Sequence, residues 1–247
     1  MEIIDESTVY PELPLKGRGK LTYNWIPTCK TLLDAGCSWG YYTRFYQDNA
    51  DKVFGIDPNH KSIKVAQQRY PSIKFIYSLL ENTPFTTNFF DTIVLNDVIE
   101  HVRNERECLN EIFRILQLGG TLIITTPHRG LFEILDPVNY KFRLKLNKKY
   151  QPPGYEHFHR HYTLKNLVSL LNQTSFRNKY KIDTVFKSGL FIEVLTSNLF
   201  HIFDRLFGKN ISYKLIKPFG FLSNIDYWIP YGYLSYNIAL KIIKTYP

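Results

Sequence analysis

The sequence predicts an α/β fold in which seven strands form a doubly wound sheet, with an apolar insertion before the last strand. Two observations carry this. Between Lys30 and Thr126 short apolar runs alternate with stretches of helical periodicity, the pattern of parallel strands linked by crossover helices. The 247 residues, 44% hydrophobic and 16% aromatic, suffice for one sizeable core and are few for two.

The elements follow in order. Strands are predicted at Thr31–Ala35, Val53–Asp57, Lys74–Tyr77, Thr92–Asp97 and Thr121–Thr126, with helices at Gly40–Asn49, Asn59–Arg69 and Arg103–Leu116 between them. In the last helix Cys108, Leu109, Ile112, Phe113, Ile115 and Leu116 fall on one stripe, and Gly119-Gly120 supplies a stop. Thr163 reads as the N-cap of an amphipathic helix carrying Leu164, Leu167, Val168, Leu170 and Leu171. Two further strands are expected at Lys181–Leu190 and Leu234–Ile243. The whole chain, 1–247, is therefore one domain: an N-terminal extension over 1–29, a ligand-binding half over 30–126, and a second half over 127–247 with the insertion at about 190–232.

Composition narrows the partners. Cys29, Cys37 and Cys108 are too few for a disulfide framework and are not spaced as metal ligands, so a reducing, cytoplasmic setting is expected. The acidic start Met1-Glu2-Ile3-Ile4-Asp5-Glu6 lacks the pattern of a signal peptide. No stretch reaches the roughly 18 uninterrupted apolar residues of a membrane span. A net charge of +9 favours anionic partners without choosing among them.

The first strand ends in Asp34-Ala35-Gly36-Cys37-Ser38-Trp39-Gly40, followed by Tyr41 at the start of a helix. Glycines there let backbone N–H groups approach a ligand at the helix N-terminus. The spacing Gly-x-x-x-Gly does not fit the dinucleotide pattern Gly-x-Gly-x-x-Gly, which argues against a nicotinamide-dependent oxidoreductase, and no Lys-Ser/Thr follows as in a P-loop. Asp57, with Pro58 after it, ends the second strand about twenty residues on, where a carboxylate accepts ribose hydroxyls. As a plain helix-terminal acid it would be equally comfortable near the dipole.

Leu32 to Gly40 resembles the first motif of class I S-adenosylmethionine-dependent methyltransferases, with Ser38 standing where that family usually has glycine. Ser78 to Phe85 is similar to the family's segment after strand three, which implies Leu79 and Leu80 as adenine contacts. Asn96-Asp97-Val98-Ile99-Glu100-His101-Val102 resembles the Glu-His-Val motif of quinone-biosynthesis and sugar methyltransferases. The resemblance runs from Leu32 to Leu122 and implies a Rossmann-like fold and S-adenosyl-L-methionine as cofactor. It further implies cofactor binding by Asp34, Gly36, Cys37, Ser38, Gly40, Tyr41, Asp57, Pro58, Leu79, Leu80, Asn96 and Asp97.

With such a cofactor the enzyme chiefly aligns an acceptor with the methyl group, which orientation alone favours by roughly 7 to 11 kcal/mol. A hydroxyl acceptor also needs a base. His101 and His128 are the candidates, each just past a strand's carboxyl end, although His101 equally suits a supporting role beside Glu100. The run Glu156-His157-Phe158-His159-Arg160-His161-Tyr162 invites a metal reading, but it also suits a substrate-facing loop, and no metal is expected.

The basic and apolar arm Lys141, Arg143, Lys145, Lys148 and Lys149 lacks any recognisable nucleic-acid module. The reading is thus methylation of an oxygen on a small or lipid-linked acceptor, such as a saccharide or quinone, in the cytoplasm. Peripheral contact with the inner membrane surface and a homodimer stay open. The alternative is a non-catalytic cofactor-binding or membrane-docking protein of the same fold. Phe191, Leu195, Leu199, Phe200, Phe203, Leu206 and Phe207 recur at helical spacing as an apolar cover.

Overall fold

A computed structural model describes residues 15, 17–131, 160–189 and 225–246. The basic arm at 141–149, His157, His159 and the insertion up to residue 224 lie outside the described residues.

Seven strands form one sheet: β1 (Cys29–Ala35), β2 (Ala50–Asp57), β3 (Lys74–Tyr77), β4 (Phe90–Asn96), β5 (Leu116–Pro127), β6 (Tyr180–Ser188) and β7 (Asn237–Lys244). Their order is β3-β2-β1-β4-β5-β7-β6. All pairs from β3 to β5 are parallel, and β7 lies antiparallel between β5 and β6. The central strands are apolar on both faces: Leu32, Leu33, Ile93, Val94, Leu95, Leu122 and Ile123 are inaccessible to solvent. Only a strand covered on both sides tolerates such a run. The order reverses between β1 and β4, so the chain leaves neighbouring strands in opposite directions and opens a crevice at their carboxyl ends.

Helices α2 (His60–Arg69), α3 (Glu105–Ile115) and α4 (Leu164–Leu171), preceded by α1 (Gly17–Trp25), flank the sheet. Local chemistry sets their starts. Asn59 accepts from the backbone N–H groups of Lys61 and Ser62, and Asn104 from that of Glu107. Thr163 and Asn166 form a reciprocal capping box at α4.

Three expectations need correction. The helix expected over 40–49 is a short 3-10 helix, Thr43–Asp48, because the glycine loop consumes the first residues of that segment. The pair Gly119-Gly120 does not stop α3. Leu116 already adopts extended backbone (ψ 133°), and the glycines sit inside β5, where pairing shifts from Phe90–Leu116 to Thr92–Thr121. The strand expected from Leu234 begins at Asn237, after a 3-10 turn over Gly232–Leu234.

Helix α1 was not anticipated. Its segment Gly17-Arg18-Gly19-Lys20-Leu21-Thr22-Tyr23-Asn24-Trp25 has two glycines and no apolar stripe. Tertiary contacts hold it instead: Thr22 is fully buried with its hydroxyl 2.7 Å from Asn96 Oδ1, and Arg18 ion-pairs with Asp97.

Candidate active site

The parallel strands end along one edge, and that edge collects the residues singled out in the sequence. After β1 the chain turns through Gly36 (φ +85°), Ser38 (φ +47°) and Gly40 (φ +76°). Gly36 and Cys37 donate their N–H groups to the Ile56 carbonyl at 2.8 and 3.0 Å, pinning the loop to β2. Ser38 is the one L-residue of the three. Its left-handed backbone is offset by a hydrogen bond from its N–H to Asp57 Oδ2 at 3.0 Å. The bond holds a serine in backbone that favours glycine.

Asp57 is the hub of the loop. Its second oxygen accepts the Asn59 N–H at 2.8 Å, and burial raises its pKa although both amide bonds oppose that rise. Asp57→Ala is expected to weaken S-adenosylhomocysteine binding by roughly 1 to 3 kcal/mol, the cost of losing hydrogen bonds to a charged group. Calorimetry giving an unchanged affinity on folded variant would remove Asp57 from the binding site.

Asp34 and Cys37 point inward. Asp34 accepts the Thr43 hydroxyl at 2.6 Å and so ties β1 to the 3-10 helix. Burial pushes its carboxyl up to about 7, against the Thr43 hydrogen bond and with a smaller contribution from the Asp57 charge. Because the folded state holds the proton more tightly, this group's stability contribution is fully present at low pH and is lost as pH rises toward 7. Asp34→Asn is therefore expected to stabilise the protein at pH 8 by about 2 to 4 kcal/mol, with a smaller gap at pH 5. Thermal unfolding at the two pH values checks this; a gap independent of pH would count against it. The Cys37 thiol is buried in the core, and burial raises its pKa.

At the end of β4, Asn96 is committed on both sides. Its oxygen accepts from Thr22 and Thr125 at 2.7 and 3.2 Å, and its amide nitrogen donates to the Tyr46 hydroxyl at 3.0 Å. Asp97 adopts φ +53°, its N–H donating to the Thr125 carbonyl at 3.0 Å and its carboxylate paired with Arg18. Strained backbone of this kind concentrates where ligands bind. Arg18 and Thr22 were missed by sequence reasoning, because nothing local marks residues that reach the site from a distant helix.

Past β3, the expected adenine pair divides. Leu79 is 60% exposed, whereas Leu80 is packed in the core. Pro58 is half-buried after β2. Tyr77, the last residue of β3, is 59% exposed with the His60 ring edge-on to it at 5.7 Å. An aromatic at a strand's carboxyl end was the signal that could have singled it out. Tyr41 stands in edge contact with Tyr42 and Phe45, with the Arg44 guanidinium over its ring.

The two histidines differ. His101, half-buried, sits within a loop whose carbonyls at Ile99, Glu100 and Val102 are clamped by Arg160. Its own N–H donates to the Val98 carbonyl. His128 is buried just past β5, its N–H donating to the Tyr236 carbonyl at 2.7 Å. Its Nδ1 lies 3.0 Å from Ser235 Oγ and 3.2 Å from the Ser235 carbonyl. Burial lowers its pKa, and the charges of Lys187 and His161 work the same way against the Ser235 hydrogen bond. Among the described residues no group of three metal-binding side chains exists.

Residues 33–124 match the family model of the methyltransferase domain. Over these residues the chain is similar to class I S-adenosylmethionine-dependent methyltransferases. The methyltransferase match begins on β1 and ends on β5, the strands that carry the loop and the crevice. A probable S-adenosylmethionine-dependent methyltransferase of Mycolicibacterium smegmatis is 31% identical over 103 residues, 42% of this chain and 40% of the relative. A ubiquinone/menaquinone biosynthesis C-methyltransferase of Campylobacter jejuni is 28% identical over 100 residues, 38% of this chain and 43% of the relative. The chain thus spans about two fifths of the length of the curated relatives it matches. A structure of an S-adenosylmethionine-dependent methyltransferase from Methanosarcina mazei shares the fold, with TM-score 0.59, 18% identity, 92% of this chain and 98% of that chain.

The ribose hydroxyls of S-adenosylmethionine call for an acceptor and its ammonium for an anion, and this edge holds the carboxylates of Asp57 and of Asp97, the latter paired with Arg18.

Proposed function

We propose that the chain transfers a methyl group from S-adenosylmethionine to an oxygen of a small or lipid-linked acceptor, such as a saccharide or a quinone. The observation that carries the oxygen is His128, an imidazole buried just past the carboxyl end of β5, where burial lowers its pKa. The bound cofactor supplies an electrophilic methyl on its sulfonium. The protein's tasks are then to hold, align and deprotonate. Asp57 and the 36–40 loop hold the nucleoside end, Tyr77 and Leu79 flank the adenine, and Asp97 faces the methionine end. His128 Nε2 takes the acceptor's hydroxyl proton. His101 supports the Arg160-clamped loop.

The test pairs methyl-labelled S-adenosylmethionine with hydroxylated saccharides and quinols. His128→Ala is expected to lower turnover by about 10² to 10⁴, with S-adenosylhomocysteine affinity nearly intact. Undiminished turnover would remove His128 as base, and a product methylated at carbon would overturn the oxygen reading. Failure of the wild-type chain to bind S-adenosylhomocysteine would instead favour a non-catalytic, membrane-docking protein of this fold, and binding without turnover a non-catalytic cofactor-binding one.

A lipid-linked acceptor is favoured by the described end of the insertion and the turn after it. Ile225, Trp228, Ile229, Tyr233 and Leu234 are exposed, and Gly130, two residues past His128, packs against the Tyr233 and Ser235 carbonyls. No helix of the described residues is long and apolar enough to cross a membrane. Together with the net charge of +9, this patch is proposed to rest on anionic lipid. Co-sedimentation with anionic vesicles that weakens with salt is expected, and a protein left in the supernatant at low salt would sink the idea.

A further inference from the structure

We infer that Ser235 is a positioning residue that fixes the ring proton of His128 on Nδ1, leaving Nε2 as the open proton acceptor; this rests on the reading of His128 as the acceptor-side base. The Ser235 carbonyl can only accept, and it lies 3.2 Å from Nδ1. The Ser235 hydroxyl has one hydrogen, and its Oγ donates to the Gly232 carbonyl at 2.8 Å. The lone pairs of Oγ are therefore what it turns toward Nδ1, 3.0 Å away. Two acceptors face one ring nitrogen, so that nitrogen must carry the hydrogen.

The rest of the surroundings agree. The backbone of His128 is held on both sides, by its N–H on the Tyr236 carbonyl at 2.7 Å and by the Gly130 N–H on its own carbonyl at 3.0 Å. The chain at Tyr162 runs alongside, with the Tyr162 N–H on the Pro127 carbonyl at 2.9 Å and the Arg129 N–H on the Tyr162 carbonyl at 2.9 Å. Ring and serine thus cannot drift apart without breaking β5, β7 and the segment before α4. The charged and titratable groups that face the ring are Lys187 from β6 and His161 from the segment before α4, and both disfavour a second proton. Among the described residues Nε2 has no hydrogen-bond partner.

The chemistry follows. The acceptor's O–H bond would break and an N–H bond form at Nε2, and the oxygen would use the freed electron pair to bond the methyl carbon as the methyl–sulfur bond breaks and its pair stays on sulfur, leaving S-adenosylhomocysteine. The imidazolium so formed strengthens its Nδ1–H bond to Ser235, then returns the Nε2 proton to solvent. Gly232, Ser235 and His128 act as a chain in which a backbone carbonyl orients a hydroxyl and the hydroxyl orients a base. Reversing the hydroxyl would turn a donor toward Nδ1 and move the ring proton to Nε2, which abolishes the base.

The experiment is nitrogen-15 NMR of the histidine rings in the full chain, with His128 assigned by its loss in His128→Gln. At pH 7 the wild-type ring is expected to be neutral with its proton on Nδ1. In Ser235→Ala one acceptor is gone, and the His128 titration is expected to fall by about half a unit or more, with partial transfer of the proton to Nε2. Ser235→Thr keeps the hydroxyl and is expected to restore both. A wild-type ring protonated on Nε2 would overturn the inference whatever the variants do. So would an unchanged tautomer and titration in a folded Ser235→Ala, since a serine that merely orders the 232–235 turn affects stability alone. The two readings separate cleanly: expected spectra together with full turnover in His128→Ala would remove the base and leave Ser235's control of the ring standing.

Discussion

Gly36→Val is expected to abolish binding of S-adenosylhomocysteine. Gly36 sits at φ +85°, a region that costs an L-residue about 1 to 3 kcal/mol and a β-branched one the most. A Cβ there would point into the side chain of Val98, so the substitution also overpacks the contact between the β1 loop and the β4 loop. Overpacking adds typically 1 to 3 kcal/mol. The damage works through the loop's shape: the Gly36 and Cys37 N–H groups would be pulled from the Ile56 carbonyl, and the crevice would lose one wall. Calorimetry on folded variant should read no binding, and Gly36→Ala, strained but unbranched, should retain weakened binding. Wild-type affinity in the valine variant would detach this loop from the cofactor altogether.

Lys244→Met is expected to cost the fold about 2 to 5 kcal/mol, although the residue is far from the crevice. The Lys244 ammonium is buried and donates to the Phe113 carbonyl at 2.9 Å, the Leu116 carbonyl at 2.7 Å and Asn88 Oδ1 at 3.1 Å. It also lies 4.1 Å from the centre of the Phe113 ring. Two of these acceptors, the Phe113 and Leu116 carbonyls, lie where α3 passes directly into β5. Methionine fills the space and supplies no hydrogen. Chemical denaturation should show the loss with an unchanged slope; a difference below 0.5 kcal/mol, the ordinary range of surface substitutions, would mean water replaces the amine.

What the sequence made legible were features decided within a few residues. The apolar runs of β1, β4 and β5, the cap Thr163 and the glycines of the loop all carry local signals. The misreadings share a cause in distant contacts. The pair Gly119-Gly120 looks like a helix stop, yet pairing with β4 claims those residues for a bulged strand. Helix α1 has no helical pattern, since Asn96, Asp97 and Tyr42 hold it from elsewhere in the chain. Asp34 has the type and place of a ligand, but only the fold turns its carboxylate toward Thr43. His128 was chosen for its position after a strand, and the Ser235 that faces it lies too far along the chain for any spacing rule to find.

The placement of β7 carries a consequence for how the chain comes off the ribosome. β5 is buried along its last eight residues, and among the described residues its free edge is closed only by β7, the last of the seven strands in chain order. β6 emerges earlier but pairs with β7 alone, so it cannot shield that edge in the meantime. Until residues 237–244 emerge, the nascent protein carries an apolar parallel sheet with an open rim of unpaired amides, the kind of surface that recruits other chains. Synthesis that pauses late, between β6 and β7, should therefore be the step at which holding chaperones matter most for this protein's yield.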